Sequence, residues 1–227
     1  GDAVVGATKF CIFPPTMAVT RIGGTKNPDV DIIRQLGPDL VYVNVEENLA
    51  RHAEAIAEFA PVFATEPKSV SGVLQLLADL GAIHRREERA REIAIVIEEE
   101  LPRDPEPFAF ACAVWKEPWM WSGGDTYVSN LVAAMGGENV LRDHARYPVL
   151  DVLDIRRLRP DLVFLPDEPY EFTPDDAQHL RSAGLTVIGP FPGHLFTWHG
   201  SRTLAGLRFL RSALEQHAET VRQATHQ

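Results

Sequence analysis

The chain has 227 residues, 45% of them hydrophobic, which excludes a disordered polypeptide and suffices for one large domain or two lobes with their own cores. Its formal charge is -10, from 22 Lys and Arg against 32 Asp and Glu, and it has no basic run; a surface that tracks nucleic-acid phosphates or an anionic membrane is excluded, leaving a small molecule or a protein as partner. No apolar run approaches the roughly 18 residues of a membrane span, and the start at Gly1-Asp2-Ala3 lacks the basic and apolar regions of a signal peptide.

Residues 4–8 read as a short strand, after which Cys11-Ile12-Phe13 runs into Pro14-Pro15, a break in regular structure. In Gly23-Gly24-Thr25-Lys26-Asn27-Pro28-Asp29 two glycines permit positive φ and Pro28 is set for a first helical position, so a helix over 29–36 follows. Pro38-Asp39 ends it, and Leu40-Val41-Tyr42-Val43 has the length and composition of a buried strand. Asn44-Val45-Glu46-Glu47-Asn48 supplies acids and a cap before a helix over 49–59, whose apolar face is Ala53, Ile56, Ala57 and Phe59. A strand over 61–64 comes next. Ser69 then caps a helix with the stripe Val70, Val73, Leu74, Leu77 and Leu80, and Gly81 is expected to end it.

The stretch 86–101 organises the rest. Ala90, Ile93, Ala94, Ile97 and Leu101 recur at three- and four-residue steps among Glu87, Glu88, Arg91, Glu92, Glu98 and Glu99, the pattern of one amphipathic helix. Pro102, Pro105 and Pro107 stop it. At a rise of about 1.5 Å per residue it is roughly 24 Å long, enough either to link two lobes rigidly or to lie on the surface of one. Beyond it the same grammar restarts: strand 108–114, a Trp-rich loop, helix 126–135, strand 162–165, helix 173–183, strand 185–188 and a last helix over 201–217. Alternating strands and helices imply an α/β protein with mainly parallel sheets flanked by helices, and ligands beyond the carboxyl ends of the strands.

An internal echo supports two related units. Ile33-Arg34-Gln35-Leu36-Gly37-Pro38-Asp39-Leu40-Val41 and Ile155-Arg156-Arg157-Leu158-Arg159-Pro160-Asp161-Leu162-Val163 agree at seven of nine positions, on opposite sides of the long helix. Each is a helix end, a Pro-Asp turn and a buried strand. Cys11 and Cys112 fall in different halves beside apolar residues and read as buried thiols rather than a disulfide or a metal site.

These residues resemble a known family. Val5-Gly6-Ala7-Thr8, Gly23 to Asp29, Pro38-Asp39-Leu40-Val41, Gly136-Gly137-Glu138-Asn139-Val140, Pro160-Asp161-Leu162-Val163 and Trp198 to Arg202 are similar, in the family's order and over most of the chain, to the helical-backbone (class III) periplasmic solute-binding proteins, nearest to the cobalamin-binding proteins of ABC importers. The resemblance implies two lobes, 1–84 and 103–227, joined by the backbone helix 85–102, with the first lobe starting after the family's first strand and Pro-Ser loop. It also implies a ligand between the lobes, a periplasmic or membrane-anchored location outside the cytoplasm, a monomer, no cofactor and no catalysis. An acid on each lobe would dock to permease arginines; Glu46 or Glu47 and Asp154 suit that role and equally suit helix-terminal charge.

The loops at strand ends supply the chemistry. Trp115, Trp119 and Trp121 crowd one of them, ahead of Gly123-Gly124-Asp125-Thr126-Tyr127 at a helix start, where indoles can stack on a flat ligand and helix amides can bind its anionic edge; each tryptophan has core closure as its other reading. Pro166-Asp167-Glu168-Pro169-Tyr170 and Phe196-Thr197-Trp198-His199-Gly200-Ser201-Arg202 lie in two more such loops. Trp198 is the leading contact by resemblance, Arg202 suits a carboxylate or amide oxygen or else anchors the last helix, and Asn44 rims the other lobe. The expected ligand residues are therefore Trp198, Trp119, Trp121, Tyr127, Tyr170, Arg202 and Asn44, with no protein-only metal centre, since His194 and His199 stand five apart. The ligand expected is a metal chelate: a corrinoid first, haem or a ferric siderophore next. The rival reading is a corrinoid- or chelate-processing enzyme using Asp125, Glu168 or His199 as acid-base groups.

Overall fold

A computed structural model describes residues 3–225; Gly1 and Asp2, part of the start read above for a signal peptide, lie outside them. Contacts divide the chain into two compact units, to Glu66 and from Pro67. The first holds β1 (Gly6–Ala7) parallel to β2 (Thr20–Arg21), then α1 (Val30–Leu36), β3 (Val41–Asn44), α2 (Ala50–Ala57) and β4 (Val62–Thr65) parallel to β3. Asp29, not Pro28, opens α1: its side chain accepts the amide of Ile32 at 3.0 Å. The core is small, with Ile33, Ile56 and Ala60 buried and Ile22, Val41 and Phe59 packed around them.

The second unit opens with a helical hairpin, α3 (Val70–His84) and α4 (Glu87–Glu99). Ser69 caps α3 as expected, accepting from Gly72 at 3.1 Å. Gly81 does not end it. The helix runs to His84 and closes at Arg85 in the left-handed conformation, while Gly81 lets α4 approach: a Cβ there would stand 2.7 Å from the Cβ of Ala90. α4 buries Ala90 and Ile97, as its periodicity requires.

There follow β5 (Phe108–Trp115), β6 (Met120–Trp121), α5 (Tyr127–Ala133), β7 (Gly137–Asn139), α6 (Val152–Arg157), β8 (Leu162–Pro166), α7 (Pro174–Ser182), β9 (Val187–Phe191), α8 (His194–Thr197) and α9 (Thr203–Thr225). The five-stranded sheet runs β6-β5-β8-β9, with β7 beside the first half of β5 and β6 antiparallel to its end. The other pairings are parallel. Side chains alternate across it. Phe110, Cys112, Leu162 and Phe164 join Ile97, Leu131, Phe196 and Leu207 on one face, whereas Ala111, Ala113, Val163 and Leu165 join Trp121, Ile155 and Leu180 on the other. Burial on both faces explains the unbroken apolar runs in the sequence.

The two echo segments make the same turn. Gly37 and Arg159, one of the two mismatched pairs, both take left-handed backbone (φ 55° and 54°), and each donates its amide at 3.1 Å to the carbonyl of the equivalent echo residue, Arg34 or Arg156. Of the cysteines, Cys112 is fully buried and burial pushes its thiol up, which leaves it inert, while Cys11 is half-buried beside the Thr8 hydroxyl; both are free thiols.

Gly81→Ala adds roughly 1 kcal/mol of helix propensity but must displace Ala90, an overpacking cost of about 1–3 kcal/mol. We expect a net loss, read as a lower urea midpoint at unchanged m; a variant more stable than wild type would show that α3 and α4 separate freely.

Candidate functional site

The carboxyl ends of β5, β8 and β9 bring three loops of the second unit to one rim. β5 ends on Trp115, 42% exposed, whose ring meets Tyr170 edge-on at 5.2 Å; Tyr170 in turn packs on buried Phe172 at 4.8 Å. The next residue, Lys116, donates at 2.6 Å to Asp176, which is 5% exposed in the first turn of α7. There Thr173 and Asp176 form a reciprocal capping box. Partial burial pushes the Asp176 carboxyl up, but hydrogen bonds from Lys116 and Thr173 outweigh this and hold it below its ordinary range; the same bond raises the Lys116 ammonium.

From the β9 side, Trp198 is half-buried, with its Nε1 3.1 Å from both carboxylate oxygens of Glu168. Arg202, also half-buried, donates to His194 Nδ1 at 2.8 Å. A guanidinium only donates, so Nδ1 accepts and a neutral ring carries its proton on Nε2; the ring's one lone pair is then engaged by Arg202. His199 lies edge-on to Tyr127 at 5.9 Å. Among the described residues no group of three or more His, Cys, Asp or Glu is placed to hold a metal ion.

Other expected contacts lie deeper. Trp121 is fully buried and donates its indole N–H to the Leu150 carbonyl at 3.0 Å; it closes the core. Trp119 is half-buried in a stack with Trp121, Phe172 and His179, centroids 5.7, 5.7 and 6.3 Å away. Tyr127 is 6% exposed with its hydroxyl 2.7 Å from Thr203, and burial pushes the phenol up to about 12. The start of α5, read above as an anion site, is covered: Gly123 and Gly124 donate to the carbonyls of Arg146 and His144, and a Cβ on either would lie 2.3 Å or less from backbone oxygens of that segment. Asp125 accepts the Arg146 amide at 2.6 Å, so it holds this same crossing. Asn139, of the Gly-Gly-Glu-Asn-Val segment, is buried and bonds Ser122, Ser129 and the Leu141 amide, tying β7 to α5.

In the first unit Asn44 is half-buried and turns its own loop, its Oδ1 accepting the amides of Glu46 and Glu47. The Glu46 carbonyl receives Lys26 at 2.6 Å, and the Glu47 carboxylate receives Thr25 at 3.3 Å. Asp154, at the start of α6, pairs with Arg157 at 2.6 Å. Two residues outside the expected ligand set stand at this rim: Trp115, whose exposure no periodicity signals, and Glu168, read in the sequence only as an acid-base candidate and here bonded to Trp198. A surface depression of about 260 Å³ between β9 and α9 is lined by Ile188, Phe191, Phe209 and Gln216 and by none of the rim aromatics. It is below the roughly 300 Å³ at which small-molecule sites begin.

Asp176 is depressed, so the stability it confers is complete above its unfolded pKa and is lost as pH falls through the folded one. We expect unfolding scans to show a loss below about pH 4. Asp176→Ala should cost about 2–4 kcal/mol at neutral pH and flatten that acid limb; an unchanged limb would show that another carboxylate carries it.

Comparison with known proteins gives a match over residues 1–184 to the family model described as periplasmic binding protein. A search of curated proteins finds no match. Among solved structures, the periplasmic vitamin B12 binding protein BtuF of Vibrio cholerae superposes with TM-score 0.74 at 14% identity, covering 95% of this chain and 89% of that one. The periplasmic haem-binding protein RhuT from Roseiflexus sp. RS-1 gives 0.73 at 20%, covering 94% and 90%. The periplasmic haem-binding protein HutB of Vibrio cholerae gives 0.74 at 14%, covering 92% and 90%. At such identities these likenesses speak for the fold.

Proposed function

Because the chain belongs to the periplasmic binding protein family, we propose that it is the receptor of an ABC importer for a metal chelate, a corrinoid before haem or a ferric siderophore. Membership makes it a solute-binding protein rather than an enzyme and implies a location outside the cytoplasm. The observation that carries the ligand class is the aromatic rim of the second unit, where Trp115 is exposed and Tyr170 and Trp198 are half-buried at adjacent strand ends. Rings so placed offer faces to a planar guest, worth about 0.5–1.5 kcal/mol each beyond area burial. The similar structures bear on the same class, since their names include vitamin B12 and haem binding. With the Arg202 guanidinium on His194 Nδ1, His194 is engaged within the protein, which supports a chelate whose metal asks no histidine of the receptor, a corrinoid or a ferric siderophore, over haem. Asn44 and Tyr127 enter this reading as supports of the site loops, and Trp119 and Trp121 as the packing beneath Phe172 and Tyr170.

The same proposal gives residues 85–102 the role of linking helix between lobes 1–84 and 103–227, although contacts group α3 and α4 with the second unit, whose core takes in Val73, Leu77 and Ile97. Glu46 or Glu47 on the first lobe and Asp154 on the second would dock to the permease. The Asp154–Arg157 pair is a surface contact, 41% and 76% exposed, of the kind worth at most about 1 kcal/mol and so readily exchanged for a permease arginine. The receptor acts as a monomer.

Titration with cyanocobalamin, haemin and a ferric siderophore, followed by visible absorption and calorimetry, tests the ligand class. We expect cyanocobalamin to bind at micromolar Kd or tighter and Trp198→Ala to weaken it about tenfold, or ~1.4 kcal/mol. Trp121→Phe should lower stability and leave Kd within about twofold. Binding of haemin alone would reassign the ligand, and binding of none of the three would remove the class.

A further inference from the structure

We infer that Glu168 is a positioning residue: it fixes the plane of the Trp198 indole and takes up its only donor, so that Trp198 recognises a ligand by ring contact and not by a hydrogen bond. The inference rests on the ligand-binding reading of Trp198 given above. It begins at the end of β8, where two successive acids bind the loop that follows β9. The Asp167 amide donates to the Phe191 carbonyl at 2.9 Å, and its carboxylate accepts the Gly193 amide at 2.7 Å. Gly193 is pressed against the next residue so closely that a Cβ on it would lie 2.4 Å from the Glu168 amide nitrogen and Cβ. The two loops therefore meet backbone to backbone, and the Glu168 side chain starts from a fixed root.

That side chain reaches the far end of α8. Both its oxygens lie 3.1 Å from Trp198 Nε1, and Thr197 Oγ1, which donates to the Gly193 carbonyl at 3.0 Å, is 3.5 Å from Oε2. An indole has one donor and no acceptor, so a bond shared between two carboxylate oxygens leaves nothing for a ligand acceptor. A charged acceptor makes this bond stronger than a neutral one would, and the shared geometry restricts rotation about both side-chain torsions of Trp198. His194, whose ring is 6.0 Å from the indole and angled at 63° to it, flanks the same ring from within α8.

The test uses the full chain and two readouts. In the first, the Trp198 indole N–H resonance, identified by its loss in Trp198→Phe, is followed by NMR; we expect its exchange with solvent to quicken about tenfold or more in Glu168→Ala and far less in Glu168→Gln, which keeps an oxygen acceptor. In the second, cyanocobalamin and haemin are titrated into both variants: Glu168→Ala should weaken the binding probe about tenfold and Glu168→Gln no more than about threefold, whereas in a Trp198→Ala background Glu168→Ala should add less than about twofold. Unchanged indole exchange in Glu168→Ala, or an undiminished effect of that change in the Trp198→Ala background, overturns the inference, the latter because Glu168 would then meet the ligand itself. Failure of the wild-type protein to bind either probe, with the exchange result as expected, would sink the ligand reading and leave the positioning of Trp198 standing.

Discussion

The structure of the second unit depends on one constraint: β5 and β8 are buried on both faces. Their backbone amides are satisfied within the ladder, and their side chains alternate between Phe110, Cys112 and Phe164 on one side and Ala111, Ala113, Val163 and Leu165 on the other. No position in either strand has room for a polar group without a partner. Chemistry can enter only where the strands leave the sheet, and it does so abruptly. β5 passes from Val114, 6% exposed, to Trp115, 42% exposed, in one residue, and β8 passes from Leu165 to the paired acids Asp167 and Glu168 within three.

Most polar residues in these loops hold the loops. Asp176 answers Lys116, Asp167 answers the Gly193 amide, Asp125 answers the Arg146 amide, and Asn139 satisfies three groups around Ser122. Backbone that crosses near a core needs such partners, since an unpaired buried amide costs about as much as a lost hydrogen bond. This is why acids that look poised for proton transfer in the sequence turn out to be structural, in keeping with a family of binding proteins.

The fold was legible where burial and capping leave a strong periodic mark. Continuous apolar runs located β5 and β8; the run at β3 marked a strand but not a buried one, since Tyr42 is 40% exposed and Val41, Val43 and Asn44 are half-buried, and Asp29, Ser69, Thr126 and Thr173 each stand at the start of a helix with a side-chain cap. β6, β7 and α8 have two to four residues and no room for a period, so pattern alone passes them over, and α6, with six, is read only through the echo that makes Ile155 to Leu158 a helix end. Gly81 misled because a glycine near a helix end has two readings, a left-handed close or a close approach, and only the neighbour, here Ala90, distinguishes them. The site was legible as a set of loops and not as a set of side chains. Trp115, Trp119 and Trp121 are equivalent in sequence, yet β6 folds back on β5 and takes Trp121 inward, Trp119 follows it into a stack, and Trp115 is left outside.

The same device serves core and rim. Trp121 gives its N–H to a backbone carbonyl and Trp198 gives its own to a carboxylate, and each ring is thereby set before anything binds. What separates them is cover: one is fully enclosed, the other half open. Immobilising a rotamer-rich side chain on binding costs about 0.5–1.5 kcal/mol. A rim whose rings are already held, Trp115 by Tyr170 and Trp198 by Glu168, avoids much of that cost. If the rim binds as proposed, such a surface would suit a guest that is itself rigid, because neither side has freedom left to lose, and would discriminate by ring area and extent more than by the placement of hydrogen-bonding groups.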